Sequence, residues 1–187
     1  VIDPSSYVHK EATIIGNVII GKNVYVGPGA SIRGDWGKVS VNDGCNIQDN
    51  CTIHIFPGKN VILKENAHIG HGAIIHGATI GSNTLIGMNA VIMDDSIIGD
   101  ECVIGALTFV KGESVIENRK IVVGNPAKII GDVTDKMIKW KSKGTKLYHE
   151  LPKECKINMK ECKPLEKIEE NRKIQNVTFE TWKKSNK

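Results

Sequence analysis

Residues 80–122 read IGSNTLIGMNAVIMDDSIIGDECVIGALTFVKGESVIENRKIV, and this stretch carries an unbroken repeat of six residues. An aliphatic residue opens it at Ile80 and returns at every sixth position as far as Val122. An α-helix would space its apolar residues by about 3.6, and a half-buried strand would alternate with a period of about 2. A period of six fits neither. The stretch therefore predicts a coiled chain in which each short rung buries one aliphatic side chain.

The same period runs back to the beginning of the chain, with three slips. Three residues are added after Ile32, four are added after Ile53, and one is lost after Ile75. Three rungs make one triangular coil, so the pattern predicts a parallel β-helix of about seven coils. The twenty aliphatic positions are Ile2, Val8, Ile14, Ile20, Val26, Ile32, Val41, Ile47, Ile53, Leu63, Ile69, Ile75, Ile80, Ile86, Ile92, Ile98, Ile104, Val110, Ile116 and Val122.

Three of the five cysteines occupy a regular position of this repeat. Cys45, Cys51 and Cys102 each stand four residues after a rung's aliphatic residue, at a position that is usually small. Buried free cysteine packs as a small hydrophobe, so we expect these three thiols in the core. Cys155 and Cys162 are seven residues apart, which allows them to pair on oxidation, but we expect them to be free surface thiols.

Composition limits the partners. The chain has 187 residues and a formal net charge of +4, and much of this charge comes from a lysine-rich C-terminal stretch. Since aromatic residues are not interleaved with the positive charges, a nucleic-acid role is not expected. No apolar run reaches the roughly 18 residues of a membrane-spanning helix, and no signal-peptide pattern occurs, so we expect a cytoplasmic protein without a membrane partner.

The register of the repeat sorts the histidines by edge. Counting rungs puts Arg33, His54 and His76 on one edge of the prism in successive coils, and puts Gln48 and His71 on a different edge. One chain cannot join its own two edges, but neighbouring chains of a homotrimer can. Zn–N bonds are about 2.0–2.1 Å long, so imidazoles from stacked rungs can converge on one metal ion. The register thus predicts a metal site between subunits.

The other three histidines, His9, His68 and His149, lack this alignment, and we expect them at the surface.

The segments around these edges resemble a known family. They are Arg33-Gly-Asp35, Asn46-Ile-Gln48-Asp49, His54 and His71-Gly-Ala-Ile-Ile-His76-Gly, and they are similar to the γ-class carbonic anhydrases. Within that family the chain resembles the CaiE/PaaY-like branch of hexapeptide-repeat proteins, on the segments Ile69–Gly77 and Gly87–Asp94 and on the later Trp140-Lys141, Gly144-Thr145, Tyr148 and Leu151. The resemblance covers about residues 1–151 and implies a left-handed β-helix, a homotrimer, and Zn²⁺ (with Fe²⁺ or Co²⁺ as alternatives) on His54, His71 and His76.

The resemblance also implies roles for the other site residues. Gln48 would hydrogen-bond the metal-bound water, Arg33 and Asp35 would shape the pocket, and Asp49 would pair with Arg33 across subunits. The implied reaction is the reversible hydration of CO2 to bicarbonate by a metal-bound hydroxide.

Two departures from the family leave alternatives open. Trp36 follows Asp35 where the prototype has a glutamate, and the loop from Ile55 to Asn60 contains no acidic residue to shuttle protons. One alternative is an acyl-CoA thioesterase or a hexapeptide acyltransferase of the CaiE/PaaY type. Another is a non-catalytic trimeric accessory protein.

The chain after the repeats is expected to be helical. We predict a β-helix domain over residues 1–124 and a C-terminal helical extension with a charged tail over residues 125–187, with the turn Gly124-Asn-Pro-Ala-Lys128 closing the prism. Thr134 can cap a helix that runs to about Glu150, with Gly144 as the expected break. Residues 152–164 read as a connector, and residues 165–174 as a charged, weakly amphipathic helix.

Overall fold

A computed structural model describes residues 1–172 and 178–184, and most of these residues form one solenoid. The described residues contain 18 strands and one helix. The strands are β1 (Tyr7–Val8), β2 (Thr13–Ile20), β3 (Tyr25–Val26), β4 (Ser31–Val41), β5 (Asn46–Ile47), β6 (Thr52–His54), β7 (Asn60–Leu63), β8 (His68–Ile69), β9 (Ile74–His76), β10 (Thr79–Ile80), β11 (Leu85–Ile86), β12 (Val91–Ile92), β13 (Ile97–Ile98), β14 (Val103–Ile104), β15 (Phe109–Val110), β16 (Val115–Ile116), β17 (Lys120–Val123) and β18 (Lys128–Asp132), and the helix is α1 (Asp135–Asn158).

The strands line three flat faces of a prism. Face 1 consists of β1, β3, β5, β8, β11, β14 and β17 in that order. Face 2 carries β6, β9, β12 and β15, and face 3 carries β7, β10, β13 and β16. The longer strands β2 and β4 run through faces 2 and 3 and join them into one sheet. Strands of successive coils pair in parallel, so the predicted parallel β-helix is confirmed.

The predicted aliphatic positions fill the interior. Every one of them from Ile20 to Val122 is buried, whereas Ile2 is exposed at the open end of the prism. Burying such a side chain is worth about 1.5–3 kcal/mol, so this stack drives folding. Cys45, Cys51 and Cys102 are also buried and free, as predicted.

All three slips of the repeat fall on the edge between faces 2 and 3. Where β2 pairs with β4, the register shifts between Gly16 and Asn17, because the residues added after Ile32 leave the ladder there. The residues added after Ile53 leave the prism on the same edge, one coil later. The faces therefore keep their hydrogen bonds while the edge changes shape.

The two insertions stack on each other. The backbone N–H of Gly58 in the second insertion donates to the carbonyl oxygen of Trp36 in the first, at 3.0 Å. A Cβ on Gly37 would lie 2.1 Å from the carbonyl oxygen of Lys59, so only glycine permits this contact. We call residues 35–37 and 55–59 the insertion ridge.

The helix α1 is longer than predicted. Thr134 caps it as expected, since its side-chain oxygen accepts from the N–H of Met137 at 3.3 Å. The helix then continues through Gly144 and Pro152, so the predicted end near Glu150 and the predicted connector from residue 152 are wrong. Contacts of α1 with β1, β3 and β5 on face 1 explain the difference, because tertiary packing overrides weak local propensity.

A buried lysine joins α1 to the prism. Lys141 is 6% exposed, and its Nζ donates to the carbonyl oxygen of Asn66 at 3.0 Å and to Oδ1 of Asn83 at 2.7 Å. Burial lowers the pKa of Lys141 to about 7. Folding therefore makes the ammonium form of Lys141 less favourable than it is in the unfolded chain.

The chain beyond residue 124 has a mixed structure. Strand β18 pairs antiparallel with β17, so the extension begins as part of the prism, and the division after residue 124 stays a prediction. Cys155 is buried in α1, contrary to prediction, while Cys162 is exposed, and both are free. The helix predicted for residues 165–174 is absent from residues 165–172, where the apolar side chains Leu165 and Ile168 are exposed rather than packed on the prism. Residues 173–174 lie outside the described residues.

Across residues 1–172 and 178–184, no helix combines the length and the apolar character that crossing a bilayer requires.

Candidate functional site

Two of the predicted histidines meet on the edge between faces 2 and 3. The pairing of β6 with β9 sets His54 opposite His76, and Nδ1 of His54 lies 3.3 Å from Nε2 of His76. The other nitrogen of each ring faces a carboxylate: Nε2 of His54 is 3.1 Å from Oδ1 of Asp35, and Nδ1 of His76 is 2.7 Å from Oδ1 of Asp94. We call these four residues the carboxylate–imidazole row.

Arg33 fixes one end of this row. Its Nε and Nη2 donate to Oδ2 of Asp35 at 3.1 and 2.8 Å. The guanidinium of Arg33 holds the pKa of the Asp35 carboxyl below its ordinary value. Asp35 is therefore ionised at neutral pH and uses its other oxygen to orient His54.

With neutral imidazoles and ionised carboxylates, the carboxylate–imidazole row has one hydrogen fewer than its three contacts need. Each of its three contacts needs one hydrogen between the partners. Two neutral imidazoles carry two N–H hydrogens, and ionised carboxylates carry none. If the carboxylates take both, the facing nitrogens of His54 and His76 present two lone pairs to each other. One further positive charge between the rings, from a proton or a metal ion, satisfies the row.

Sequence reasoning missed Asp94. A signal was available, because Asp94 lies one coil after His76 on the same edge, two residues after the aliphatic residue of its rung. Gly77 has a φ of +61°, and a Cβ there would lie 2.5 Å from Oδ1 of Asp94. Glycine at this corner therefore gives Asp94 room to reach the imidazole.

Exposed aromatic rings flank the row. The ring of Trp36 lies 5.5 Å from that of His54, and the ring of Phe56 lies 5.0 Å from that of His76 in an edge-on arrangement. Both aromatic residues belong to the insertion ridge, and each is 53% exposed. Large apolar rings beside polar groups are typical of a surface that a partner covers.

The remaining predicted residues lie on the edge between faces 1 and 2. His71 donates its backbone N–H to Oε1 of Gln48 at 3.2 Å, and its Nδ1 is 3.4 Å from Oδ2 of Asp49. Face 2 separates these residues from the row, so within one chain His71 does not meet His54 and His76. No group of three or more His, Cys, Asp or Glu side chains that could hold a metal ion occurs in residues 1–172 and 178–184.

His68 is not the surface residue that we predicted. Its Nε2 lies 2.7 Å from Nε2 of Gln48, and the ring of Tyr148 packs edge-on at 5.1 Å. Burial lowers the pKa of His68 to about 3, so the imidazole is neutral and can accept from Gln48. The repeat alone placed His68 on an outward position of face 1, and Tyr148 of the helix laid over that face half-buries it.

The same contacts occupy the amide of Gln48. Besides facing His68, its Nε2 donates to Oδ1 of the fully buried Asn46 at 3.0 Å. In the single chain both amide hydrogens point inward, and the carbonyl holds the backbone of His71. The role of Gln48 toward a bound water stays a prediction.

An apolar groove of about 460 Å³ opens beside Gln48 and His71. One side of it is the prism edge, and the other side is α1 with the C-terminal tail. Apart from Gln48 and His71, its lining residues are His68, Gly70, Leu85, Ile86, Gly87, Met88, Ala106, Gly144, Leu147, Tyr148 and Phe179.

Comparison with known proteins identifies the family. Residues 77–112 match the family model described as bacterial transferase hexapeptide (six repeats). The carnitine operon protein CaiE of Salmonella newport is 44% identical over 172 residues, which cover 92% of this chain and 87% of that protein. The chain belongs to the CaiE-like hexapeptide-repeat family.

Solved structures extend the comparison for this CaiE-like chain. A hexapeptide transferase family protein from Anaplasma phagocytophilum is 30% identical, with a TM-score of 0.78, covering 81% of this chain and 90% of that chain. A variant of AntD, an N-acyltransferase from Bacillus cereus in complex with dTDP-4-amino-4,6-dideoxyglucose and coenzyme A, is 18% identical, with a TM-score of 0.66, covering 76% and 88%. The second likeness shows the fold alone. The printed names of the family model and of the Anaplasma structure agree with the transferase alternative rather than with carbonic anhydrase activity.

Proposed function

We propose that the protein acts on acyl-CoA thioesters, transferring the acyl group to water or to a small nucleophile at a site between two subunits of a homotrimer. The observation that carries this proposal is the groove beside His71. Its volume of about 460 Å³ and its mostly apolar lining suit an acyl chain, whereas CO2 needs no such space. The transferase names of the family model and of the Anaplasma relative agree with a group-transfer reaction.

The exposed apolar residues support the trimer. Face 2 lies between the two edges that carry the histidines. Trp36 and Phe56 are exposed on one edge, and Met88 and Leu107 are exposed on or near the other. A seam between neighbouring prisms would cover both sets, and closed symmetry is the usual state of homo-oligomers. In such a seam His71 of one subunit faces His54 and His76 of the next.

The residues present fit a metal ion. His54, His71 and His76 would hold it, and the 3.3 Å between the facing nitrogens of His54 and His76 agrees with the roughly 3.3 Å between two ligands at about 2.0–2.1 Å in a tetrahedral site. Asp35 and Asp94 supply the outer carboxylates that metal-binding imidazoles commonly use. Such a donor set accepts zinc, iron or cobalt. When bound, the ion supplies Lewis-acid polarisation of a carbonyl oxygen.

The chain's own residues provide the rest of the site. The Arg33–Asp35 pair and Asp94 fix the two imidazoles, so their facing nitrogens are already oriented before substrate arrives. The groove holds the acyl chain and brings the thioester carbonyl to His71. Trp36 and Phe56 exclude water from the side of the row. In the reaction the bond from the carbonyl carbon to sulfur breaks, a bond to the attacking oxygen or nitrogen forms, and the nucleophile's proton is released as the CoA thiolate leaves.

A second candidate is CO2 hydration. It is favoured by the row itself, because a cation held between two oriented imidazoles is the arrangement that the γ-class resemblance implies. The two candidates share the histidines and differ in whether they need the groove.

One sample can separate the two. The purified protein is assayed for bound metal, for release of CoA thiol from acetyl-, hexanoyl- and phenylacetyl-CoA with and without an amine acceptor, and for CO2 hydration. We expect thiol release that is lost after chelation and restored by zinc. A metal-loaded sample that hydrates CO2 and leaves every thioester intact contradicts the proposal and supports the second candidate.

A further inference from the structure

The C-terminal tail returns to α1 beside the groove. Nε1 of Trp140 donates to the carbonyl oxygen of Glu180 at 2.8 Å. The rings of Phe179 and Trp182 pack on the ring of Trp140, with centroids 5.3 and 5.9 Å away. One hydrogen bond and two ring contacts therefore fix residues 179–182 on the helix.

The ring of Phe179 packs directly on Gly144. A Cβ on Gly144 would lie 3.2 Å from Cζ of Phe179, closer than an ordinary van der Waals contact. Glycine weakens a helix interior relative to alanine, so this position is not explained by the needs of α1. The close contact with the ring of Phe179 explains the glycine.

Phe179 is also part of the groove. It lines the groove together with Leu147 and Tyr148 of α1, opposite the small residues Gly70 and Gly87 of the prism. Phe179 is 44% exposed, so part of its ring faces open space rather than the core. We propose that Phe179 is a specificity-determining wall, which limits the length of the acyl chain that the groove accepts. This inference rests on the proposed function.

The wall has a measurable signature. Each methylene that enters an apolar groove strengthens binding about fourfold. The gain ends at the chain length at which the ligand meets the ring. A tail that only stabilised α1 would change the amount of folded protein and leave this length dependence unmoved.

The test titrates S-methyl, S-butyl, S-hexyl, S-octyl and S-decyl thioethers of CoA into the full-length protein by calorimetry. In the wild type we expect affinity to rise with chain length and then level off. In Phe179→Ala the rise continues for at least two further methylenes, about fourfold for each. Phe179→Leu keeps an apolar wall and stays close to the wild type.

Two further variants separate the wall from general stability. Gly144→Ala favours the helix but displaces the ring of Phe179, so we expect the profile of Phe179→Ala in a protein that is at least as well folded. Ile168→Ala removes an exposed apolar side chain of the same tail and leaves the profile unchanged.

The outcomes for the inference and for the proposed function are distinct. Equal length profiles for the wild type and Phe179→Ala overturn the inference, and so does the failure of every thioether to bind. A protein that shows the expected profiles but cleaves no thioester supports Phe179 as the wall and contradicts the proposed transfer reaction.

Discussion

The regular coils over residues 80–122 and the irregular coils over residues 32–79 bury the same kind of core but differ at one edge. In the regular coils the edge between faces 2 and 3 carries Met93 and Lys111 at the positions after the rung. In the irregular coils the same positions carry Arg33, His54 and His76, and the added residues build the insertion ridge. The two facing imidazoles thus lie at the edge where the period breaks, while Asp94, which completes their row, belongs to a regular coil.

The physical reason lies in the hydrogen bonds. An extra residue within a face would break the ladder to both neighbouring coils, and buried unpaired backbone groups are costly. An extra residue at an edge leaves the ladders of the faces intact. The slips therefore move side chains at the edge without disturbing the aliphatic stack.

The largest expected effect tests whether the two regions share one core. Ile53→Ala in the irregular coils and Ile98→Ala in the regular coils should each lower the free energy of unfolding by about 2–5 kcal/mol, since both side chains are buried and leave a cavity. Chemical denaturation at a fixed protein concentration measures this loss. A loss below about 1 kcal/mol for either variant would contradict the prediction that both regions share one tightly packed core.

The next effect separates the two regions by activity. His76→Ala should lower the rate of thioester cleavage about 100-fold or more, because it removes one of the two facing imidazoles and a proposed metal ligand. Lys111→Ala is the matched control, two coils further along the same edge. Thiol release and metal content are the measurements. Retention of full activity by His76→Ala would show that the carboxylate–imidazole row takes no part in the reaction.

A smaller effect concerns the carboxylate that sequence reasoning missed. Asp94→Asn should lower metal affinity or activity about 10- to 100-fold, as expected for an outer partner of a metal-binding imidazole. The control is its neighbour Asp95→Asn, whose carboxylate forms a surface ion pair with Lys59 at 2.9 Å. Equal losses for the two variants would show that Asp94 acts only through general charge.

Lys141 connects the two regions, since its Nζ contacts Asn66 in the irregular coils and Asn83 in the regular coils. Its pKa is lowered to about 7 by burial, from an ordinary value of 10.5. Between these values the unfolded chain binds more protons than the folded one, so the free energy of unfolding should rise with pH from about 7 to 10.5. Denaturation curves should show this rise for the wild type relative to Lys141→Met. A pH-independent difference would contradict it.

The sequence predicts the parts of this molecule that depend on register. The core positions, the buried cysteines and the shared edge of His54 and His76 follow from counting by six, because each rung repeats the geometry of the last. His68 and Asp94 were missed because their environments depend on contacts between elements. His68 is half-buried under Tyr148 of α1, and Asp94 reaches His76 past the corner at Gly77. The length of α1 was underestimated because packing on face 1 offsets the cost of Gly144 and Pro152.

The proposed site lies between subunits of a homotrimer, with His71 donated by one chain and His76 by its neighbour. His71→Ala and His76→Ala, each expected to be inactive alone, are mixed, their subunits are allowed to exchange, and thiol release from the proposed acyl-CoA substrate is recorded. In random trimers about a quarter of the sites combine an intact His76 with an intact neighbouring His71, so we expect about a quarter of the wild-type activity to return. If the mixture stays as inactive as its components after verified subunit exchange, the proposed site between subunits is contradicted.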